Sequence, residues 1–200
     1  VIAAPMMSAR RSLGAALLLL LLAVGAAAIA CAQWTRPIVE GDEALRAGQW
    51  DQALAAYAIA EARFDRLPAA RQLLMRDYAR AVGAQLWIYY HLERYDEVLD
   101  KAQRAPDAAD PHFWSGLAFY AKSRGDGKPE EQFDWLGRAE GELRRAVEAT
   151  PADWDTKYDF ELVTRLAAAL RKRPRTPPNE LMQLLRPEPR AGARPVRRIG

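Results

Sequence analysis

Ala139–Leu162, AEGELRRAVEATPADWDTKYDFEL, decides the fold. Ala139, Leu143 and Ala146 are spaced four and three apart, so they share one helix face. The alanines leave room for a second helix to approach, and Leu143 fills the gap between them. Glu140, Glu142, Arg144, Arg145 and Glu148 occupy the other faces and keep them wet. Pro151 cannot continue the helix, because it lacks an N–H and clashes with the preceding turn. Asp153 is placed to cap a second helix starting near Trp154, on which Tyr158, Leu162 and Leu166 form an apolar stripe. One such helix pair cannot bury both faces, so stacked neighbours are required.

The same phase recurs upstream. Gly41 and Ala44 sit on a first helix, Gly48 breaks it, Trp50 plugs the turn, and Ala53, Tyr57 and Ala60 repeat the four-three spacing. Pro68 opens a helix that can run to Leu92, carrying Leu74, Tyr78, Ala81, Leu86 and Tyr89 roughly on one side. Tyr95 then stands where Trp50 stood, followed by Val98, Ala102 and Ala105. A third unit begins after Asp110-Pro111 with Trp114, Leu117, Ala118 and Ala121; Gly125 ends its first helix. Asp126–Arg138 then intrudes before Ala139 resumes, and a partial fourth unit follows Pro151. The chain is therefore expected to be all-α, a view its Ala- and Leu-rich, β-branch-poor composition supports.

Either side of this array the composition changes. Leu13–Ala32 runs without a charged side chain, and about twenty residues at about 1.5 Å each match the ~30 Å of a bilayer core. Residues 12–33 read as a transmembrane anchor, with 1–11 as its cytoplasmic flank and Met6 or Met7 as alternative starts. Two other readings stay open: cleavage at the small-x-small Ala30-Cys31-Ala32, or lipidation of Cys31. Arg10 and Arg11 hold the N-terminus in the cytoplasm and send the rest across. Cys31 is the sole cysteine, so no intrachain disulfide forms. From Arg171 onward nine basic residues face only Glu180 and Glu188. With the whole chain at +3 and Arg10–Arg11 contributing +2, residues 12–170 stand at −6. The Pro- and Arg-rich tail, 171–200, has too little apolar surface to offset the entropy of ordering and is expected to be disordered, save for a short helix over Asn179–Arg186.

Catalytic and metal motifs are not evident. His91 and His112, the only histidines, have no ligand-spaced partners. Gly125-Asp126-Gly127-Lys128-Pro129 lacks the Gly-Lys-Ser/Thr of a phosphate loop and the alternating carboxylates of a calcium loop. The tail carries no aromatics for stacking on bases. The expectation is a non-enzymatic scaffold without cofactor, metal or nucleic acid.

Gly41, Ala44, Gly48, Trp50, Ala53, Tyr57 and Ala60 resemble the tetratricopeptide (TPR) repeat, a likeness that extends over about residues 36–170. The spacing from Ala53 to Val98 and from Val98 to Ala139 exceeds the family's roughly 34 residues, so the array is irregular. The resemblance implies antiparallel helix pairs with a concave face that binds protein partners. At the family's groove positions stand Trp87, Tyr90, His91, His112, Phe119, Lys122, Tyr158 and Arg165. With the N-terminal anchor and the phrase Pro151–Leu162, the chain looks like the MxaK-type methanol-oxidation accessory proteins, small anchored TPR proteins of bacterial gene clusters encoding a MoxR-type ATPase and von Willebrand A proteins. That implies a single-pass inner-membrane protein whose periplasmic domain helps to mature a quinoprotein dehydrogenase. A general envelope TPR protein or lipoprotein, serving outer-membrane or peptidoglycan assembly, is the alternative.

Overall fold

The structure is a computed structural model that describes residues 5–125 and 128–172; the tail, with its expected helix at Asn179–Arg186, lies outside them. Every α-helix or shorter turn of helix in these residues follows its predecessor after a short connection. The first helix, α1 (Pro5–Arg46), is 42 residues long and has two fates. Leu17 to Leu22 each expose more than half of their surface, so this apolar portion packs on nothing among the described residues. It is long and apolar enough to cross a membrane. From Trp34 onward the same helix joins the body, burying Pro37, Ile38 and Gly41.

The junction is chemically marked. Pro37 lies inside α1 and has no N–H to give the carbonyl of Gln33, four residues back. The Arg63 guanidinium supplies the missing donor, at 2.8 Å from that carbonyl and 3.3 Å from the carbonyl of Trp34. A charged donor thus repairs the break where the helix leaves its free portion and enters the body.

Arg63 belongs to α2 (Trp50–Arg66), which runs antiparallel to α1: Trp34 meets Phe64 edge-on, and Gly41 lies against Tyr57. A Cβ at Gly41 would fall 2.7 Å from the Tyr57 ring, so only glycine permits this approach. Gly48, at φ +72°, makes the left-handed turn between the two helices. Ala53, Tyr57, Ala60 and Phe64 are wholly buried, as their spacing predicts. The Tyr57 hydroxyl donates to Asp42 (2.7 Å), which also accepts from Arg80.

The expected helix from Pro68 to Leu92 is in fact two. A short α3 (Pro68–Leu73) and α4 (Met75–His91) are separated by Leu74 at φ −111°, ψ 38°. The break lets α4 fold back antiparallel to α2, with Phe64 edge-on to Tyr78 at 5.6 Å. Buried Gln85 on α4 donates to Glu61 of α2 (3.1 Å), and Lys101 of α5 (Tyr95–Ala102) pairs with the same carboxylate. One carboxylate therefore ties three helices, offsetting the cost of burying polar atoms there.

A 3₁₀ turn (Asp107–Ala109) leads into α6 (Pro111–Ser123), α7 (Pro129–Ala149) and α8 (Trp154–Lys172). Leu143 is buried between Ala139 and Ala146 as expected, and it seats on Gly116 of α6, where a Cβ would lie only 2.6 Å from its side chain. Two expectations need correction. From Pro129 onward the Asp126–Arg138 segment does not intrude: it is the beginning of α7, with Pro129 in its first turn and Glu130 and Glu131 favourably placed at the positive helix end. The stripe Tyr158–Leu162–Leu166 does not face the core either. Thr156, Val163 and Ala167 are buried, with Phe160 and Leu170 packed beside them against Leu136, Ala139 and Leu143. Phe160, Val163, Ala167 and Leu170 are the larger apolar face of α8, and burying them turns Tyr158 outward.

Candidate functional site

Seven of the eight residues at the expected groove positions fall in three places, and His112 stands apart from them. The first is a run of rings on α4. Trp87 lies between Trp50 (centroids 5.4 Å apart) and His91 (3.8 Å), nearly parallel to both. The His91 ring nitrogen Nδ1 is 2.8 Å from the Trp87 carbonyl, which fixes the imidazole over the indole. Tyr90, next on the same surface, touches His91, Tyr95 and Trp114 at 5.8–5.9 Å. Burial raises the Tyr90 hydroxyl above its ordinary pKa, and the nearby Tyr95 and Asp159 reinforce the shift. Asp159 belongs to α8, and Trp114, which touches Tyr90, to α6. These rings already have partners within the chain, and they fasten one helix pair to the next.

The second place is the seam between α6 and α7. Phe119 stacks on Trp135 at 5.6 Å, and Arg138 lies 4.9 Å from the Trp135 ring. Lys122 sits over that ring at 4.7 Å and pairs with Asp96 of α5. Trp135, in the early part of α7, therefore covers both Phe119 and Lys122. His112 points elsewhere, bonding through Nδ1 to Glu142 at 2.7 Å. It lines a cleft of about 520 Å³ with Asp107, Asp110, Arg145 and Glu148 at the other end of the α6–α7 pair.

The third place is the outer face of α8. Asp153 caps the helix: Oδ1 accepts the Asp155 N–H (3.0 Å) and Oδ2 accepts the Thr156 hydroxyl (2.6 Å). The hydrogen bond from Thr156, helped by backbone N–H groups, holds the Asp153 carboxyl below its usual pKa. Beyond the cap, Trp154 is 78% exposed and Tyr158 69% exposed, one turn apart on the face opposite Val163. Lys157 lies 4.5 Å from the Trp154 ring, and Arg165 pairs with Glu161. Leu162 and Leu166 continue the strip towards the edge of the core. Two aromatic rings this open, one turn apart on one face, form an apolar surface without a partner among the described residues.

Trp154 is the residue the groove assignment missed. Its spacing of four from Tyr158 was visible, but it falls at the helix start, outside the family's groove positions. Trp50, Tyr95, Trp114 and Trp135 were likewise not expected to enclose the groove residues. Asp110 and Asp159 both have raised carboxyl pKa values, mainly from burial, with Asp153 adding repulsion to each. Among the described residues no three His, Cys, Asp or Glu side chains come together as a metal site.

No family model, curated protein or solved structure matches the chain.

Proposed function

We propose that the chain is a single-pass, membrane-anchored helical-repeat adaptor that binds a protein partner through the outer face of α8. The observation that carries this reading is the open pair Trp154 and Tyr158. Aromatic side chains bring large contact area at small entropic cost and are the usual anchors of protein interfaces. Arg165, Glu161 and Lys157 rim the pair and would orient a partner segment. In this reading Tyr158 and Arg165 bind the partner, Trp87, Tyr90, His91, Phe119 and Lys122 hold the repeats together, and His112 pairs with Glu142.

Support for a TPR-like arrangement comes from the glycine-seated crossings at Gly41–Tyr57 and Gly116–Leu143, and from the antiparallel pairing of α1 with α2. Arg10–Arg11 before the apolar run favours a periplasmic body. The resemblance to the MxaK-type proteins then points to maturation of a periplasmic quinoprotein dehydrogenase. The test is crosslinking of the full chain in membranes of the producing cell, followed by recovery of the dehydrogenase or of the ATPase and von Willebrand A proteins. Wild type recovers one of these. Trp154→Ala with Tyr158→Ala loses it, by about 2 kcal/mol or more in binding, at unchanged melting temperature. Undiminished recovery by the double variant would move the interface off α8.

A further inference from the structure

The corner that joins α2 to α4 points the same way as the free part of α1. Arg63 is bonded to the carbonyls of Gln33 and Trp34, which follow directly on the apolar run Leu13–Ala32. Because α2 is antiparallel to α1, its last residues continue past that level, back towards the apolar run. Arg66 lines a cleft of about 500 Å³ with Ala30, Gln33 and Trp34, which places the end of α2 beside the last turn of the run. The start of α4 lies beside the end of α2, through Phe64 and Tyr78. The connecting α3 therefore sits at the depth where α1 would leave a bilayer core.

Its side chains suit that depth. Leu73 is 79% exposed, and Leu67 and Met75, on either side of α3, are also exposed. Elsewhere in the body, the most exposed described leucines are Leu92 at 36% and Leu166 at 38%. Around these apolar residues stand Arg63, Arg66, Arg71 and Arg76, with only Asp65 and Asp77 against them. This is a local excess of positive charge in a body that is otherwise acidic. Arg71 leans 4.2 Å from the Tyr78 ring and 3.6 Å from Asp65; Arg66 and Arg76 have no ion-pair partner among the described residues. The Trp34 indole N–H, also at this level, is buried without a hydrogen-bond partner among the described residues. Apolar residues ringed by arginines, beside a tryptophan at the end of a membrane-crossing run, are the chemistry of a bilayer interface.

We propose that the α2–α3–α4 corner is a second membrane contact: Leu67, Leu73 and Met75 enter the interface, and Arg66 and Arg76 engage the phosphates of anionic lipid headgroups. The contact would hold the body at a fixed tilt against the leaflet from which α1 emerges and would direct the outer face of α8 accordingly. This inference rests on the anchor reading of α1 and does not depend on what α8 binds.

The experiment places a spin label at Leu73→Cys in the full chain, with Cys31→Ser to remove the native thiol. A second label at Glu93→Cys, in the turn at the far end of α4, serves as the aqueous reference. The chain is reconstituted into vesicles of phosphatidylcholine alone or mixed with phosphatidylglycerol. Accessibility to oxygen, which favours lipid, is compared with that to a water-soluble nickel complex. The expected result is a shift from nickel-favouring at 93 to oxygen-favouring at 73, larger with phosphatidylglycerol. Arg66→Gln with Arg76→Gln should abolish the phosphatidylglycerol increment. Water-like accessibility at 73 in both vesicles would overturn the contact and leave the corner open to a soluble partner. An oxygen-favouring label that ignores both phosphatidylglycerol and the arginine changes would overturn the headgroup assignment. Alkaline carbonate extraction of the same vesicles separates the two readings: release of the chain means that α1 is no anchor, whereas retention with a water-like label defeats the corner alone.

Discussion

Tyr57 on α2 and Tyr158 on α8 are the same side chain in two helices of the same kind, and they have opposite fates. Helix α2 lies between α1 and α4, so Tyr57 loses all of its exposure, and its hydroxyl keeps a partner in Asp42. Among the described residues α8 packs against α7, in a cluster joined by Phe113, Phe119 and Tyr120 of α6, and Tyr158 faces outward. Both helices carry more apolar residues than one neighbour can cover. A stacked helix pair needs a neighbour on each side, and a helix covered on one side retains a face for something else. Burial of Tyr57 serves the fold; exposure of Tyr158 is open to function.

The strongest way to break this contrast is to make the same substitution twice. Tyr57→Ala should destabilise by roughly 3–5 kcal/mol, through lost burial and the cavity left behind, measured by denaturant unfolding of the full chain in detergent. Gly41→Ala presses on the same ring from the other side. Because Tyr57 has no room to yield, it should cost about 1–3 kcal/mol in the same assay. Tyr158→Ala should stay within about 0.5 kcal/mol of wild type, as a surface change away from any cap or core contact. If Tyr158→Ala costs as much as Tyr57→Ala, α8 is covered and the contrast fails.

The smallest effect concerns pH. Burial, with repulsion from Asp155 and Asp153, raises the Asp159 carboxyl above its ordinary pKa. A raised carboxyl binds its proton more tightly in the folded state. Its contribution to stability is therefore fully present below the ordinary pKa and is lost as pH rises through the raised value. Asp159→Asn should accordingly melt higher than wild type at neutral pH, and its melting temperature should fall less between acid and neutral pH. An unchanged pH profile would mean that Asp159 is not held against the core edge.

The helical class, the glycine-seated crossing at Gly41, the capping of α8 by Asp153 and the burial of Leu143 were all legible, because each depends on local spacing and on a residue with few alternatives. The phase of α8 was not. Tyr158–Leu162–Leu166 and Thr156–Val163–Ala167 are both plausible stripes, and only the surface offered by Leu136, Ala139 and Leu143 chooses between them. The break at Leu74 carried no glycine or proline signal, since it arises from α4 turning back on α2. The extension of α7 was signalled by Pro129 and its two following glutamates, but repeat length hid it. Tyr90, Phe119 and Lys122 were assigned to a groove from the family pattern. What encloses them comes from Tyr95, Trp114 and Trp135, whose positions depend on how successive pairs stack.

Native-state hydrogen exchange of the full chain in detergent tests the contrast between the closed and open helices most directly. Amide groups open locally at a cost that follows the packing around them. The account predicts slowest exchange in α2 and the middle of α4, around Tyr57 and Leu86, and distinctly faster exchange along α8 from Tyr158 to Leu166. Protection of α8 equal to that of α2, in the absence of any partner, would contradict it.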